Sequence, residues 1–509
     1  MKKFILKPGQ LTLTDIRFII NNEVHLELDP ISLTRIHQSR QVVKNVLDQE
    51  QAVYGINTGF GQLANVSIDK KKLALLQHNL LLSHAVGTGE LLADSIVKLI
   101  LLLKVNSLAC GYSGIRLILL EALIALFNHR VYPAIPAKGS VGASGDLAPL
   151  AHLSLTLIGV GHARAQGKLL PATEALAIAK ISPLSLAAKE GLALINGTQV
   201  STALAIYHLL QTEKIFSGGL ISGAMSLDAA LGSDTPFDEK IHQIRKHSAQ
   251  IVVAKLLREL LKDSEIRRSH EYCNRVQDPY SLRCQPQVMG ACLMNLQHAA
   301  KILVDEANAV TDNPLVFSAE NQILSGGNFH AEPVAIVADL IAICVAEIGA
   351  ISERRIALLV DKTLNGGLPA FLIKDAGINS GFMVAQYTAA ALASENKTLA
   401  HPASLDSIPT CANQEDHVSM ATFAARRLAE IIDNVNGILA IELLAACQGV
   451  ELRAPLKTSP ALQTYHQQVR KLVAFYTEDR YFAPDIALIK EFLYTNIGIL
   501  SPLTEEKLC

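Results

Sequence analysis

Aromatic residues are scarce in this sequence: tryptophan is absent, and phenylalanine and tyrosine together supply only 5% of the 509 residues. Half of the chain is nonetheless hydrophobic, and leucine and alanine dominate that half. The core is therefore predicted to be aliphatic, and both residue types have high helix propensity. A chain of this length can bury a large interior and is expected to contain two or three core-forming units.

A strong excess of charge is missing as well. The formal net charge is −2, and the longest run of basic residues is Lys70–Lys72, which is typical of a solvated face. Nucleic acid and anionic membranes are therefore not expected as partners, because both are bound through concentrated positive charge.

The eight cysteines lack the spacing of metal sites and disulfide frameworks, since no C-x-x-C pair occurs. We expect no zinc, no disulfide and a reducing compartment. The basic start of the chain resembles a signal peptide, but Lys7 and Pro8 cut its apolar segment short. Polar residues interrupt the long uncharged stretches, which favours buried helices over membrane spans. A soluble cytoplasmic protein is the expectation.

Hydrophobic seams mark the second part of the chain. They recur at steps of three and four through Val334, Val337, Ile341, Cys344, Ile348 and Ile351, and again through Leu428, Ile431, Val435 and Ile438. Seams of this length need partner helices, so we predict a mainly α fold built as a long-helix bundle.

A small β element is predicted in the N-terminal part. Val24, Leu26 and Leu28 alternate with polar residues, and Asn21-Asn22 offers a turn, which together predict a hairpin. We predict an N-terminal domain at 1–205 and a long-helix domain at 206–509.

A run of small residues, Gly139–Pro149, stands directly before a strong helix start with Asp146 as N-cap. Besides a plain turn, three functions compete for it. A phosphate cradle would be followed by a Walker lysine, which is missing. A hydrolase elbow would need glycine where Asp146 stands. The third is that Ala143-Ser144-Gly145 is itself reactive, because its small side chains let the Gly145 nitrogen reach the Ala143 carbonyl.

The string from Gly139 to His152 resembles the signature of the aromatic amino acid ammonia-lyases, in which Ala-Ser-Gly cyclises and loses water. The resemblance implies a 4-methylidene-imidazol-5-one formed autocatalytically from Ala143, Ser144 and Gly145, with no external cofactor and no metal. The substrate amine would attack the methylidene carbon derived from Ser144.

Three polar loops, at 275–287, 326–330 and 408–420, match the same family in order. In a chain with aliphatic helices, polar loops are where chemistry is expected. Elimination of ammonia from an amino acid needs an electrophile, a base for an unactivated β-hydrogen and a clamp for the carboxylate. We expect the base and the clamp in loops of this kind.

Tyr54 in the glycine-rich loop 54–61 matches the catalytic tyrosine of the family. A phenol has a pKa near 10, and lowering it to neutral requires about 3 units, or about 4 kcal/mol. Glu415 is an alternative base, and the sequence does not choose between them. Tyr280 matches a second family tyrosine near the electrophile, which implies a role in proton transfer or ring activation.

The resemblance also implies substrate-binding residues. Arg283 would clamp the carboxylate through its planar guanidinium, supported by Gln277. Asn196 and Phe329 match positions that border the ring, the first as a hydrogen-bonding group and the second by packing. Gln414, which precedes Glu415, is counted with them.

His84 and Glu415 bear on which amino acid is bound. A histidine at position 84 can hydrogen-bond an imidazole. Phenylalanine- and tyrosine-specific members of the family carry Asn-Gln-Asp where this chain has Asn413-Gln414-Glu415, and a carboxylate facing a phenyl ring would be desolvated and unpaired. Both residues favour L-histidine as the substrate.

The expected enzyme is thus a carbon–nitrogen lyase that converts L-histidine to trans-urocanate and ammonia, the first step of histidine degradation. A tyrosine or phenylalanine ammonia-lyase, or a 2,3-aminomutase with the same electrophile, is the alternative. The resemblance further implies a homotetramer whose subunits share their active sites.

Overall fold

A computed structural model describes residues 2–49, 52–59, 61–63, 65–271, 275–500 and 503. Its helices are α1 (Leu13–Asn21), α2 (Ile31–Asp48), α3 (Leu73–His84), α4 (Asp94–Ala109), α5 (Leu117–Asn128), α6 (Leu147–Leu157), α7 (Ala172–Ile178), α8 (Glu190–Ile195), α9 (Gln199–Ala229), α10 (Glu239–Arg245), α11 (Ser248–Leu261), α12 (Glu265–Arg268), α13 (Tyr280–Arg283), α14 (Gln285–Asn308), α15 (Glu332–Val360), α16 (Met383–Leu399), α17 (Ala421–Arg426), α18 (Leu428–Glu451), α19 (Pro460–Leu472) and α20 (Ala483–Thr495). The predicted mainly α fold is confirmed.

The strands are few and short. They are β1 (Lys2–Leu6), β2 (Val24–Leu28), β3 (Thr88–Leu91), β4 (Tyr132–Pro133), β5 (Pro136–Lys138), β6 (His162–Ala165), β7 (Lys168–Pro171), β8 (Leu315–Phe317) and β9 (Gln322–Leu324). They pair as β1-β2, β3-β5, β4-β6-β7 and β8-β9.

The hairpin predicted near the N-terminus is wrong. β1 and β2 are parallel, with Lys2 opposite Val24, and α1 forms the crossover between them. The reason is a capping box: Thr12 accepts from the Asp15 backbone nitrogen, and the Asp15 carboxylate accepts from the Thr12 nitrogen. This box starts a helix, and parallel strands require such a crossover.

Two compact units make up the chain. The first comprises residues 1–207, 300–339 and 402–426, and the second comprises 208–299, 340–401 and 427–509. The Ala-Ser-Gly loop lies in the first unit. The division into domains at 1–205 and 206–509 remains a prediction from the sequence.

Both predicted seams are buried. Val334, Ile341 and Ile348 in α15 are fully shielded from solvent, as are Leu428 and Val435 in α18. Among the described helices, α15 alone is long and apolar enough to cross a membrane, with a mean hydropathy of 2.4. Two thirds of that apolar window is buried inside the protein, as in a core helix.

Candidate active site

A cavity of about 1040 Å³ opens in the first unit, beside the start of α6. It brings together the predicted site residues Tyr54, His84, Ala143, Ser144, Asn196, Phe329, Gln414 and Glu415. These residues come from loops and helix ends far apart in the sequence, so the fold gathers most of the predicted site around the Ala-Ser-Gly loop.

The Ala-Ser-Gly loop is held in place by its backbone conformation and backbone contacts. Gly142 and Gly145 have φ angles of 69° and 74°, a region that residues with a Cβ adopt at a cost. A Cβ at position 145 would lie 2.2 Å from the Gly197 carbonyl oxygen, which accepts a hydrogen bond from the Asp146 nitrogen at 2.8 Å. Only glycine allows this close approach.

Asp146 anchors the loop to a different helix from the one expected. It stands at the N-cap of α6, but its side chain makes no capping bond there. The fully buried carboxylate instead accepts from the backbone nitrogens of Val200 and Ser201, at 3.0 and 2.8 Å, in the first turn of α9. Burial raises its pKa, while the hydrogen bonds from Ser201 and Thr422 lower it.

Ser144 is held at both ends. Its hydroxyl donates to Glu415 Oε1 at 2.8 Å, and its carbonyl accepts from Asn196 Nδ2 at 2.9 Å. Asn196 is buried, and no described residue hydrogen-bonds to its Oδ1. The other oxygen of Glu415 accepts from Thr410 Oγ1 at 2.6 Å. The side chain and the carbonyl of the predicted electrophile therefore each face a named polar group.

Tyr54 lies in a setting that opposes ionisation. Burial raises the pKa of its phenol above the ordinary value, and the negative charge of Glu415 raises it further. The hydrogen bond with the Gly61 backbone acts in the opposite direction and is weaker than burial. The tuning towards neutrality that a tyrosine base requires is thus not supplied by the described residues of a single chain.

The surroundings of His84 favour the neutral form of its imidazole. Burial lowers its pKa below the ordinary value, and this effect outweighs the opposing influence of the Leu80 backbone and the Glu415 charge. Its Nδ1 lies 3.0 Å from the Ser83 hydroxyl. The cavity therefore presents a neutral imidazole and a carboxylate, a pair that can hydrogen-bond both nitrogens of another imidazole.

Gln277, Tyr280 and Arg283 belong to the second unit, and they are not among the described residues that line the cavity. They do lie together. Arg283 Nη2 donates to Gln277 Oε1 at 3.1 Å, and its guanidinium lies 4.6 Å from the centre of the Tyr280 ring. Tyr280 is 70% exposed, so this group of three residues is open to solvent, and its role as a carboxylate clamp stays a prediction.

The segment that carries Gln414 and Glu415 is strained. Cys411, Ala412 and Asn413 have φ angles of 51°, 50° and 65°, an unusual run of left-handed residues with side chains. The Thr410 nitrogen donates to the Glu415 carbonyl at 2.9 Å and closes this turn. Such strain is common where a loop has to aim side chains at a site.

Several residues that line the cavity were not predicted from the sequence. They include Asn79, Asn313, Ser325, His330, Asp416 and His417. The rings of His330 and His417 stack with their centres 5.8 Å apart. Four of these residues sit beside the polar loops 326–330 and 408–420 or inside them, so the loops carried the signal even where single residues did not.

The cysteines at 110, 284, 292, 344, 411 and 447 are free, whereas Cys273 and Cys509 lie outside the described residues. Cys411 is exposed and faces the cavity. No cluster of three metal-binding side chains is found in the part of the chain that the structure describes.

The fold and the site define a class. The sequence profile of aromatic amino acid lyases matches residues 11–471, and the chain belongs to this family. The resemblance inferred from the Gly139–His152 string is confirmed.

Particular relatives sharpen the comparison. The chain is 60% identical over 503 residues to a histidine ammonia-lyase of Legionella pneumophila (strain Paris), covering 99% of both chains. Its structure is similar to that of histidine ammonia-lyase from Trypanosoma cruzi, with a TM-score of 0.88, 41% identity and coverage of 97% and 93%. Tyrosine aminomutase from Streptomyces globisporus matches with a TM-score of 0.90, 36% identity and 96% coverage of each chain.

Proposed function

We propose that this chain eliminates ammonia from L-histidine to give trans-urocanate, the first step of histidine degradation. The observation that carries the proposal is the placement of Glu415 and His84 in the same cavity as Ser144. The high identity to histidine ammonia-lyases supports the same substrate. Because aminomutases share the fold, the fold alone does not select the reaction.

The Ala143-Ser144-Gly145 loop fits a methylidene-imidazolone made from its own backbone. Closure joins the Gly145 nitrogen to the Ala143 carbonyl carbon and releases one water, and loss of the Ser144 hydroxyl with its α-hydrogen releases a second. Small side chains and the tight approach of Gly145 to Gly197 suit this compact turn. Once formed, the group supplies an electrophilic carbon that converts an amine into a leaving group.

Asn196 would assist as a fixed donor. Its amide points at the Ser144 carbonyl oxygen from a buried position, and a hydrogen bond there withdraws electron density from the neighbouring side-chain carbon. Preorganised donors of this kind give large rate effects because they need no reorganisation during reaction. Phe329 lines the same cavity.

Two groups can take the β-proton. Tyr54 faces the cavity but needs a lowered pKa, whereas burial and Glu415 raise it. Glu415 lines the same cavity, and its Oε1 lies 2.8 Å from the Ser144 hydroxyl, the group that leaves when the electrophile forms, so it stands beside the carbon that the substrate amine would attack. Tyr54 serves as the base only if further groups, from another copy of the chain, stabilise its phenolate.

A second copy would also complete the clamp. Arg283, with Gln277 and Tyr280 beside it, forms an exposed carboxylate-binding group in the isolated chain. Exposed apolar side chains nearby, such as Val276 at 96% exposure, favour coverage by another subunit. We therefore propose a homotetramer in which Arg283 of one subunit binds the substrate carboxylate in the cavity of another. We propose the cytoplasm as its location.

A substrate panel tests the proposal. Purified protein is mixed with L-histidine, L-tyrosine or L-phenylalanine, and the conjugated product is followed in the ultraviolet, with β-amino acids sought by chromatography. We expect urocanate from L-histidine and little product from the other two. Cinnamate-type products or β-amino acids formed in preference to urocanate would favour the alternative, a tyrosine or phenylalanine lyase or an aminomutase.

A further inference from the structure

A lysine is buried directly behind the site. Lys104 lies in α4 within the apolar stretch Leu99–Val105, and only 1% of it is exposed. Its Nζ donates to the Asn196 carbonyl oxygen at 2.7 Å and to Gln199 Oε1 at 3.2 Å. A buried ammonium is costly to desolvate, so its presence calls for a role that an aliphatic side chain would not fill.

The charges around Lys104 are few and also buried. Burial lowers the pKa of Lys104, as does the charge of Lys189, whereas Asp312 and Asp146 raise it, and the net result is a pKa of about 7. Asp312 is already paired with Lys189 Nζ at 2.6 Å. The direct hydrogen-bond partners of Lys104 are the Asn196 carbonyl oxygen, in the turn before α9, and Gln199 Oε1, at the first residue of α9.

That turn carries the group that faces the electrophile. The backbone carbonyl of Asn196 accepts from Lys104, while the Asn196 side chain donates to the Ser144 carbonyl at 2.9 Å. On the far side, Gln199 Nε2 donates to Thr311 Oγ1 at 2.8 Å. Lys104 thus fixes the backbone from which the Asn196 amide projects.

We propose that Lys104 is a positioning residue, which acts through Asn196 to hold the amide donor against the Ser144 carbonyl during turnover. The inference rests on the proposed function. Lys104 lies behind Asn196 and outside the cavity lining, so it acts on the catalytic rate and not on substrate affinity. Small misplacements of a catalytic donor have large effects on rate.

The test compares Lys104→Met with Leu103→Ala, a variant of a neighbouring buried residue in the same helix. Four quantities are measured: kcat and KM for L-histidine, the thermal midpoint, and the intact mass, which reports loss of two waters from the Ala-Ser-Gly loop. We expect Lys104→Met to lower kcat about tenfold with KM within about twofold. The loop still loses both waters. Leu103→Ala lowers the thermal midpoint but keeps kcat within about twofold below its melting range.

A double-mutant cycle checks the route of action. If Lys104 acts through Asn196, Lys104→Met changes kcat less than about twofold in an Asn196→Ala background. An equal loss in both backgrounds, a change in KM in place of kcat, or a missing loss of water would overturn the inference. Should Lys104→Met not fold, Lys104→Leu, which also removes the donor, is used with the same criteria. Wild-type protein that makes no urocanate overturns the proposed function and this inference together, whereas an active wild type with an unaffected variant overturns the inference alone.

Discussion

The hydrogen bond from Asn196 to the Ser144 carbonyl offers the sharpest test of how the site works. In Asn196→Ala the carbonyl loses a donor that lies 2.9 Å away in a buried position. Removing one such donor from a preorganised site typically lowers kcat by about 10²–10³-fold, or about 3–4 kcal/mol. Folding should suffer far less, because one neutral hydrogen bond contributes only about 1 kcal/mol.

The assay is urocanate formation at saturating and limiting L-histidine, beside thermal unfolding of the same preparations. We expect a large loss of kcat, a small change in KM and a modest fall in the thermal midpoint. Asn196→Asp, which keeps the shape but cannot donate when ionised, should behave like the alanine variant. A kcat within about threefold of wild type in either variant would refute the donor argument.

Other substitutions test Glu415 and His84, which are predicted to select the substrate, and the Ala-Ser-Gly loop. Glu415→Gln should lower kcat for L-histidine by at least about tenfold. It should also lower the ratio of kcat/KM for L-histidine to kcat/KM for L-phenylalanine, because a phenyl ring would no longer face a desolvated charge. If this ratio is unchanged, Glu415 does not take part in substrate recognition. His84→Leu should raise KM for L-histidine about tenfold or more. Because burial lowers the pKa of His84 in the folded protein, the unfolded chain binds a proton more readily, and the wild type loses stability as the pH falls below the ordinary pKa of histidine. Thermal midpoints measured between pH 7 and 5 should therefore fall less in His84→Leu than in the wild type. Gly145→Ala, whose Cβ would meet the Gly197 carbonyl at 2.2 Å, should cost about 1–3 kcal/mol of stability and impair loss of water from the loop; a chemically denatured series and intact masses equal to wild type would contradict this.

Much of the fold followed from periodicity. The long helices α15 and α18 were predicted because their apolar residues recur at helical spacing, and packing of that face stabilises such helices. The N-terminal hairpin was wrong because the alternation of Val24 to Leu28 is equally typical of a parallel strand. The capping box at Thr12 and Asp15 was the local signal that decided between the two.

Most of the residues predicted for the site line one cavity, but their electrostatics could not be predicted from the sequence. Family resemblance pointed to Tyr54, His84 and Glu415, which do line one cavity with Ser144. The direction of the Tyr54 pKa depends on burial and on the Glu415 charge, neither of which a linear sequence contains.

Long-range polar contacts were also beyond the sequence. Asp146 was predicted to cap its own helix, but its carboxylate caps α9, more than fifty residues further along the chain. Lys104 was overlooked because its partners lie far away in sequence. The signal was a single lysine within a leucine-rich stretch, which indicates a buried charge with a dedicated partner.

In the proposed reaction the chain builds its own electrophile from Ala143, Ser144 and Gly145. Intact mass spectrometry of the purified protein and of its Ser144→Ala variant measures this ring formation without any assay of turnover. We expect a wild-type mass lower than the sequence mass by two waters, and a variant at its full sequence mass that is folded but makes no urocanate. A wild-type protein at full sequence mass that still deaminates L-histidine would show that the reaction does not use this electrophile.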